Sequence, residues 1–527
     1  MNQPLYTTRR DLLAHLAQPT RYDVAVIGGG ATGLGVALDA AARGLRVVLL
    51  ESHDFAKGTS SRATKLVHGG VRYLAQGNVA LVREALHERT TLLHNAPHLA
   101  QPLAFVMPTY ALWEAPFYGL GLKMYDALAG KAGLGATQWL SREQTLQLLP
   151  TAAPAGLKGG VKYWDGQFDD ARLALALARS AAAHGALLVN YCPVSDLLHD
   201  QGRVVGLRCQ DIESGRSFDV RAGCVINATG VWVDALRQQD GLALGRNVKP
   251  MVAPSQGVHV VVDREFLPSD HALMVPKTRD GRVLFGVPWL GQVILGTTDS
   301  PRHDLAREPE PFEHEVDFIL GESARYLRRA PTRADVRSRW VGLRPLVKPP
   351  SDEGDNTKRL SREHTVIVSR SGLVTVTGGK WTTYRAMAED VLEKCFEKRL
   401  LPRSAHGVTQ NLALVGAQAW HSGQPRICDA PGWHSYGADA AWAQSLPGAK
   451  RELTAGLSEA MVRFAARYEY ARTVEDVLAR RSRLLFLDAR RASAVAAQVG
   501  QILQEETGQA AQVGAFEQLA NSYLLAS

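Results

Sequence analysis

The chain of 527 residues is too long for one simple domain, and its 46% hydrophobic content is ordinary for a soluble globular protein and sufficient for large cores. Its five cysteines are scattered, odd in number and without a Cys-x-x-Cys pair, which argues against a disulfide framework and a zinc site and favours a reducing compartment. The net charge of +8 suits an anionic substrate, an anionic lipid surface or nucleic acid without choosing among them, while the lack of an apolar signal core and of any run of about 18 uncharged apolar residues predicts neither a secretory signal nor a membrane span.

Residues 1–20 read as a polar lead-in with a short helix from Asp11 to Ala17. A buried-strand run, Val24 to Ile27, then turns through Gly28-Gly29-Gly30-Ala31-Thr32-Gly33 into an Ala/Leu helix, and a second apolar run ends at Glu51. In such a strand–Gly-x-Gly-x-x-Gly–helix–strand–acid unit, Gly28 makes the tight turn and Gly30 admits a pyrophosphate. Gly33 lets the helix lie on the sheet, and Glu51 is placed to accept adenosine ribose hydroxyls. The helix N-terminus adds N–H donors for the phosphates.

Gly58 to Leu74 is rich in hydroxyls, glycines and cations and has no acid, as suits a bound polyanion or a polar ring edge; an ordinary surface loop is the plainer reading. Residues 78–95 carry helical periodicity. Residues 111–130, with Trp113, Phe117, Leu120 and Met124, are read as a core helix with its lead-in loop in preference to a membrane- or partner-facing patch. A short helix capped by Ser141 follows, then a strand and turn over 157–170 and a helix from Arg172 to His184. Strands are expected at 186–190, as a hairpin at 203–209 and 217–221, and at Cys224 to Asn227 running into Ala228-Thr229-Gly230, whose small residues permit close approach to the dinucleotide.

Residues 249–300 carry the signals of an antiparallel sheet, with strands around 258–262, 283–287 and 293–299. A helix over 312–330, a stretch from Ser338 to Pro345 entering a Pro/Asp/Gly-rich loop through 355, and a strand pair around 364–377 lead to Gly378-Gly379-Lys380, a third small-residue turn before a helix. After about 396 the chain is loop-rich to 450 and then helical, with Thr473 and Asp476 spaced as a capping box.

Taken together these residues resemble the flavin-dependent, quinone-linked (aerobic) glycerol-3-phosphate dehydrogenases over almost the whole chain. The most specific matches are the glycine turn at 28–33, Ser60 to Tyr73, Gly296-Thr297-Thr298-Asp299, Gly378 to Arg385, and Tyr470 to Leu478. Ala63 departs from the serine that many relatives carry, and 402–450 is longer and less typical. The resemblance implies an α/β + α fold: a Rossmann-type FAD-binding domain (20–100, 156–235 and 345–395), an antiparallel-sheet substrate domain (101–155 and 236–344) and a C-terminal helical domain (396–527). It implies FAD as cofactor, oxidation of sn-glycerol 3-phosphate to dihydroxyacetone phosphate, and electrons passed to ubiquinone. The protein is then expected in the cytoplasm, peripheral to the inner face of the cell membrane, as a possible homodimer and without a nucleic-acid partner.

For the chemistry, His259 is the first choice of base for the hydroxyl proton, since a side chain titrating near neutrality is wanted; His68 is the second, and a structural histidine is the plain alternative. A phosphate needs fixed cations, best an arginine fork. The resemblance assigns Arg344, Arg72 and Tyr73 to the substrate, with Arg362 as a weaker candidate, and places Lys380 beside flavin and substrate. Lys380 could stabilise negative charge on reduced flavin. The FAD contacts it implies are Gly28, Gly30, Gly33, Glu51, Thr59, Ser60, Thr64, Lys65, Leu66, His68, Gly69, Val194, Ala228, Gly230, Gly379, Lys380 and Thr382. No metal site is expected. The arginines from Arg467 to Arg491 could form a basic face toward anionic lipid, a solvated face being the alternative. An oxygen-using glycerol-3-phosphate oxidase, an amino-acid oxidase and a non-catalytic flavoprotein share the flavin motifs; the amino-acid oxidase binds a carboxylate and needs fewer cations than Arg72, Arg344 and Lys380, and in the non-catalytic protein no alcohol phosphate would reduce the FAD.

Overall fold

The computed structural model describes residues 4–70, 74, 78–348, 363–421 and 423–525. Two sheets organise it. In the first, Arg21–Ile27 is flanked by Val47–Leu50 and by the C-terminal half of Ser217–Asn227, all parallel. Leu187–Val189 and Val374–Thr377 extend the sheet in parallel on either side, and Thr365–Val368 closes one edge antiparallel to Val374–Thr377. These central strands read as continuous apolar runs because both their faces are covered. Helix Ala31–Ala42 packs between helices Asp170–Ala183 and Tyr384–Glu397 on one face. The expected hairpin is present: Arg203–Gln210 pairs antiparallel with the first half of Ser217–Asn227, and Val194–Asp200 pairs beside it.

The second sheet is mixed and mainly antiparallel. Its long strand Val252–Asp263 lies between Ser338–Val347 and Gln292–Gly296, and the sheet continues through Leu284–Trp289, Ala272–Val275, Ala100–Thr109 and Gly159–Phe168. Gly159–Phe168 pairs along its whole length with Ala100–Thr109. The sequence boundary at 156 therefore assigns this strand to the wrong domain; the chain returns to the dinucleotide domain only after Phe168. Ser338–Val347 likewise runs past the boundary set at 344. Alternation along one strand does not reveal which sheet it joins, because an apolar strand with a turn at each end fits either.

The C-terminal segment is chiefly helical, with Glu459–Tyr468, Ala489–Thr507 and Val513–Ser522 sharing one apolar core with Trp289 and Trp340 of the second sheet. Thr473 and Asp476 cap reciprocally: the Asp476 carboxylate accepts from the Thr473 N–H at 2.9 Å, and the Asp476 N–H donates to the Thr473 hydroxyl at 3.3 Å.

Two surface expectations change. Helix Glu114–Ala129 is not a core helix: it buries Leu122 and Tyr125, yet Trp113, Phe117, Leu120 and Met124, at near-helical spacing on its other side, are each more than half exposed, as is neighbouring Trp139. The sequence is apolar on both faces, and periodicity alone reads that as burial all round. Conversely, the arginines of 467–491 do not form a lipid-facing row. Arg480 and Arg481 are buried on Asp54, Arg483 on Asp170, Arg472 pairs with Glu213 and Arg467 with Glu506. Only Arg490 and Arg491 of the set are exposed.

Candidate active site

The glycine turn forms a cradle that no side chain could share. A Cβ at Gly33 would sit 1.9 Å from the Gly28 carbonyl oxygen, and Gly28, at φ +110°, would bring one to 2.6 Å from the Ala228 oxygen. The turn opens helix Ala31–Ala42 without a side-chain cap from Gly30, and the Ser60 hydroxyl accepts from the Ala31 N–H at 2.9 Å. Glu51 is held by the N–H groups of Gly29 at 2.6 Å and His53 at 2.9 Å and by the Ser52 hydroxyl at 3.0 Å. A carboxylate offers about four lone-pair sites, so acceptor capacity for a ribose hydroxyl remains. Gly230, at φ +63°, holds the adjoining turn, its carbonyl accepting from the Thr377 hydroxyl at 3.1 Å. Backbone N–H donors, a close-packed glycine and an acid at the neighbouring strand end fit a dinucleotide.

Beside this cradle, a cavity of about 700 Å³ opens between the two sheets. The loop after Gly58 lines one wall with Thr59, Thr64, Leu66 and His68; the third turn contributes Gly379, Lys380 and Thr382; the second sheet contributes His259 and Arg344. Residues more than 300 positions apart thus share one space. The His68 N–H donates to the Thr382 hydroxyl at 3.2 Å, tying two of these segments together. Arg72, Tyr73 and Arg362 lie outside the described residues.

His259 is buried on Val252–Asp263. Its Nε2 is 2.9 Å from the Thr64 hydroxyl, its ring stacks on Trp340 with centroids 5.2 Å apart, and its Nδ1 has no hydrogen-bond partner among the described residues. Burial first, then the cations Lys65 and Arg344, hold its pKa well below the ordinary histidine value, so the ring is neutral at physiological pH. Arg344 is fixed by the Gln256 carbonyl at 3.1 Å, the Thr298 carbonyl at 3.0 Å and Asp299 at 3.1 Å. Asp299 is anchored in turn by the Ser255 hydroxyl. These contacts fix the guanidinium as a cation at the cavity wall.

Two expected cofactor contacts, Lys65 and Gly69, are turned to other partners. The Lys65 side chain points away from the cavity, fully buried on Asp170. Gly69 is packed against Leu86 and Tyr125, its N–H donating to the Tyr125 hydroxyl at 2.8 Å. Val194 opens the strand Val194–Asp200, two residues after Cys192, whose N–H donates to the Glu51 carbonyl at 2.8 Å, so its place is on the cradle side and not in the cavity. Sequence reasoning gave no role to Asp170, or to Asp299 beyond its place in the motif Gly296 to Asp299. Asp170 collects the Ala63 N–H, Lys65 and Arg483, and only its place beside a second acid at a helix start marks it. Among the described residues, the one grouping of metal-capable side chains is Asp270, Cys428 and Asp429; Asp270 already pairs with Arg264 and burial pushes the Cys428 thiol up to about 11, which does not suit a cation.

Residues 23–385 match the profile of the FAD-dependent oxidoreductase family, and residues 407–513 that of the C-terminal domain of alpha-glycerophosphate oxidase. The mitochondrial glycerol-3-phosphate dehydrogenase of Rattus norvegicus is 41% identical over 95% of this chain and 72% of its own length. That of Arabidopsis thaliana is 40% identical over 92% of this chain and 82% of its own. The chain belongs to the FAD-dependent glycerol-3-phosphate dehydrogenases. Its fold agrees with a solved member, the glycerol-3-phosphate dehydrogenase from Bacillus halodurans complexed with FAD, at a TM-score of 0.77 and 28% identity, with 98% of each chain covered. As a member of this family it is an FAD-dependent oxidoreductase, and the cradle at Gly28–Gly33 and Glu51 fits that cofactor. L-alpha-glycerophosphate oxidase from Mycoplasma pneumoniae shares the fold at a TM-score of 0.55 and 18% identity, over 73% of this chain and 96% of its own.

Proposed function

We propose that this chain oxidises sn-glycerol 3-phosphate to dihydroxyacetone phosphate and delivers the electrons to a quinone at a membrane surface. The observation that carries the reading is the meeting of a neutral buried histidine and a fixed arginine in one cavity beside the dinucleotide cradle. Bound FAD supplies the acceptor for the hydride leaving the secondary carbinol carbon. Arg344 and Lys380 receive the phosphate and set the carbinol against His259. The unprotonated imidazole takes the hydroxyl proton, and the two cations near it disfavour its protonation before substrate arrives. Gly28, Gly30, Gly33, Glu51 and Gly230 hold the dinucleotide, and Thr59, Ser60, Thr64, Leu66, His68, Gly379 and Thr382 border its reactive end. Arg72, Tyr73 and Arg362 remain assigned to the substrate by resemblance.

Anaerobic titration of the yellow protein with sn-glycerol 3-phosphate, with glycerol as control, tests the reading. Bleaching by the phosphate ester alone is expected. No bleaching of the folded, FAD-loaded protein refutes it and turns attention to amino acids as substrates. The match of 407–513 to an oxidase domain makes oxygen the competing acceptor. Readmitting a soluble quinone and, separately, oxygen decides between them by which restores the colour faster.

Membrane contact belongs to the same reading. Among the described residues no helix is long and apolar enough to cross a bilayer. The exposed row Trp113, Phe117, Leu120 and Met124, with Trp139 and the Lys123 ammonium 5.6 Å from the Trp139 ring centroid, has the composition of an interfacial face: apolar body, aromatic rings and a cation. Phe117→Asp is expected to lower co-sedimentation with vesicles containing anionic lipid at least tenfold without changing turnover with a soluble acceptor. Unchanged vesicle binding refutes this face, and a wild-type dimer that Phe117→Asp dissociates assigns it instead to a second copy of the chain.

A further inference from the structure

Lys65 is a charge buried with no exposed surface. Its ammonium donates to the Ser61 carbonyl at 2.8 Å and to Asp170 at 2.7 Å. It also stands 5.2 Å from the ring centroid of Trp289, 5.3 Å from Trp340 and 5.4 Å from Phe486, rings drawn from two strands of the second sheet and from the C-terminal domain. Such a cage compensates in part for lost hydration through the negative ring faces. Trp340 is also the ring on which His259 stacks, and Thr64, the residue before Lys65, holds His259 Nε2. Two consecutive residues therefore act on one imidazole, the first by a hydrogen bond and the second by a charge near the indole it rests on.

We propose that Lys65 is a positioning residue for His259: its caged ammonium fixes the Thr64 hydroxyl at Nε2 and keeps the imidazole in its neutral, proton-accepting form. This rests on the reading of His259 as the base. The charged groups that bear on His259 are Lys65, from the loop after Gly58, and Arg344, from the neighbouring strand. Those that bear on Lys65 are Asp170 and Asp169 at the start of helix Asp170–Ala183 and Arg483 of the C-terminal domain. Burial brings the Lys65 ammonium itself down to about 7, so its charge is present in the acid range where a histidine would take up its proton. Loss of the charge leaves Asp170 with Arg483 and the N–H groups of Ala63 and Ala171, so the carboxylate stays paired.

The test is the titration of His259 by nuclear magnetic resonance of labelled imidazole, its signal assigned by its absence in His259→Gln, alongside the acid limb of kcat/KM. In Lys65→Met, and in Lys65→Gln should the first not fold, the His259 midpoint is expected to rise by about one unit, with the acid limb moving by the same amount. Lys65→Arg, which keeps the charge, should leave both in place. An unmoved midpoint in a folded neutral variant overturns the proposal. A midpoint that rises while the acid limb stays put upholds the role of Lys65 and overturns the reading of His259 as the base.

Discussion

Replacing Arg344 by alanine tests the phosphate site most directly. The guanidinium is held by two carbonyls and by Asp299, and Pro345 stiffens the strand immediately after it. A charge-assisted pair with a phosphate contributes about 1.5–3 kcal/mol. Alanine removes that and leaves the Asp299 carboxylate facing a dianion, so the loss falls at the upper end: about 3 kcal/mol, on the order of 100-fold in KM. Because the phosphate is remote from the reacting carbon, the contact is made equally in ground and transition states, and kcat should fall much less. Steady-state rates with a soluble acceptor, normalised to bound FAD, measure both constants. Adding Asp299→Asn to Arg344→Ala should recover several-fold of the lost affinity. Glycerol, which has no phosphate, should be oxidised by the variant as poorly as by the wild type. An unchanged KM with full FAD content, or an equal loss with glycerol, refutes the assignment.

Other consequences follow from the same geometry. His259→Ala should lower kcat by roughly 10²–10⁴-fold while the visible flavin spectrum persists, as expected for loss of a general base; normal turnover in the yellow protein removes His259 from the chemistry. Gly33→Ala forces a methyl to within 1.9 Å of the Gly28 carbonyl oxygen and should yield colourless protein, so a purified variant with full flavin absorbance contradicts the cradle. Glu88→Ala strips the carboxylate that pairs at 2.6 Å with buried Arg385; Arg385 keeps Glu389, so about 3 kcal/mol of stability should be lost, read as a lower urea midpoint. His98 is held neutral, its pKa pushed down to about 3 by burial and then by Arg172 and Arg179. The unfolded chain takes up a proton near 6.5 and the folded one does not until about 3, so stability falls with pH across that window by up to about 1.4 kcal/mol per unit from this residue. His98→Gln should flatten the dependence of the urea midpoint between pH 6.5 and 5, and an unchanged slope refutes the account.

The dinucleotide unit was legible because each of its residues answers a local need: strand, turn glycine, close-packed glycine and terminal acid all sit within one short stretch. The positions of His259, Arg344 and Lys380 in one cavity were legible only through resemblance, since no local pattern brings together strands so far apart in sequence. Lys65 shows where motif reading stops. The loop was correctly marked as rich in hydroxyls and cations, but whether a side chain faces the cavity or the interior depends on Asp170 and on three aromatic rings contributed from elsewhere. The arginines after Arg467 are a similar case. A run of cations reads as a surface feature until their partners, Asp54, Glu213 and Asp170, arrive from other parts of the fold.

Those partners bear on how the protein could be dissected. Glu308 of the second-sheet domain meets Lys57 at 2.6 Å; Lys57 meets Glu475 at 2.5 Å; Glu475 meets Arg480 at 2.6 Å; and Arg480 and Arg481 close on Asp54, three residues after Glu51, the acid at the end of the dinucleotide strand. A truncation near residue 400 would retain every residue assigned to FAD and substrate, yet strand Asp54 without its counter-charges, leave Lys57 with Glu308 alone, and open the Lys65 cage on the side of Phe486. The helical segment is better regarded as the keystone of the catalytic half than as an appendage, and the oxidoreductase portion alone should not survive as a working minimal enzyme.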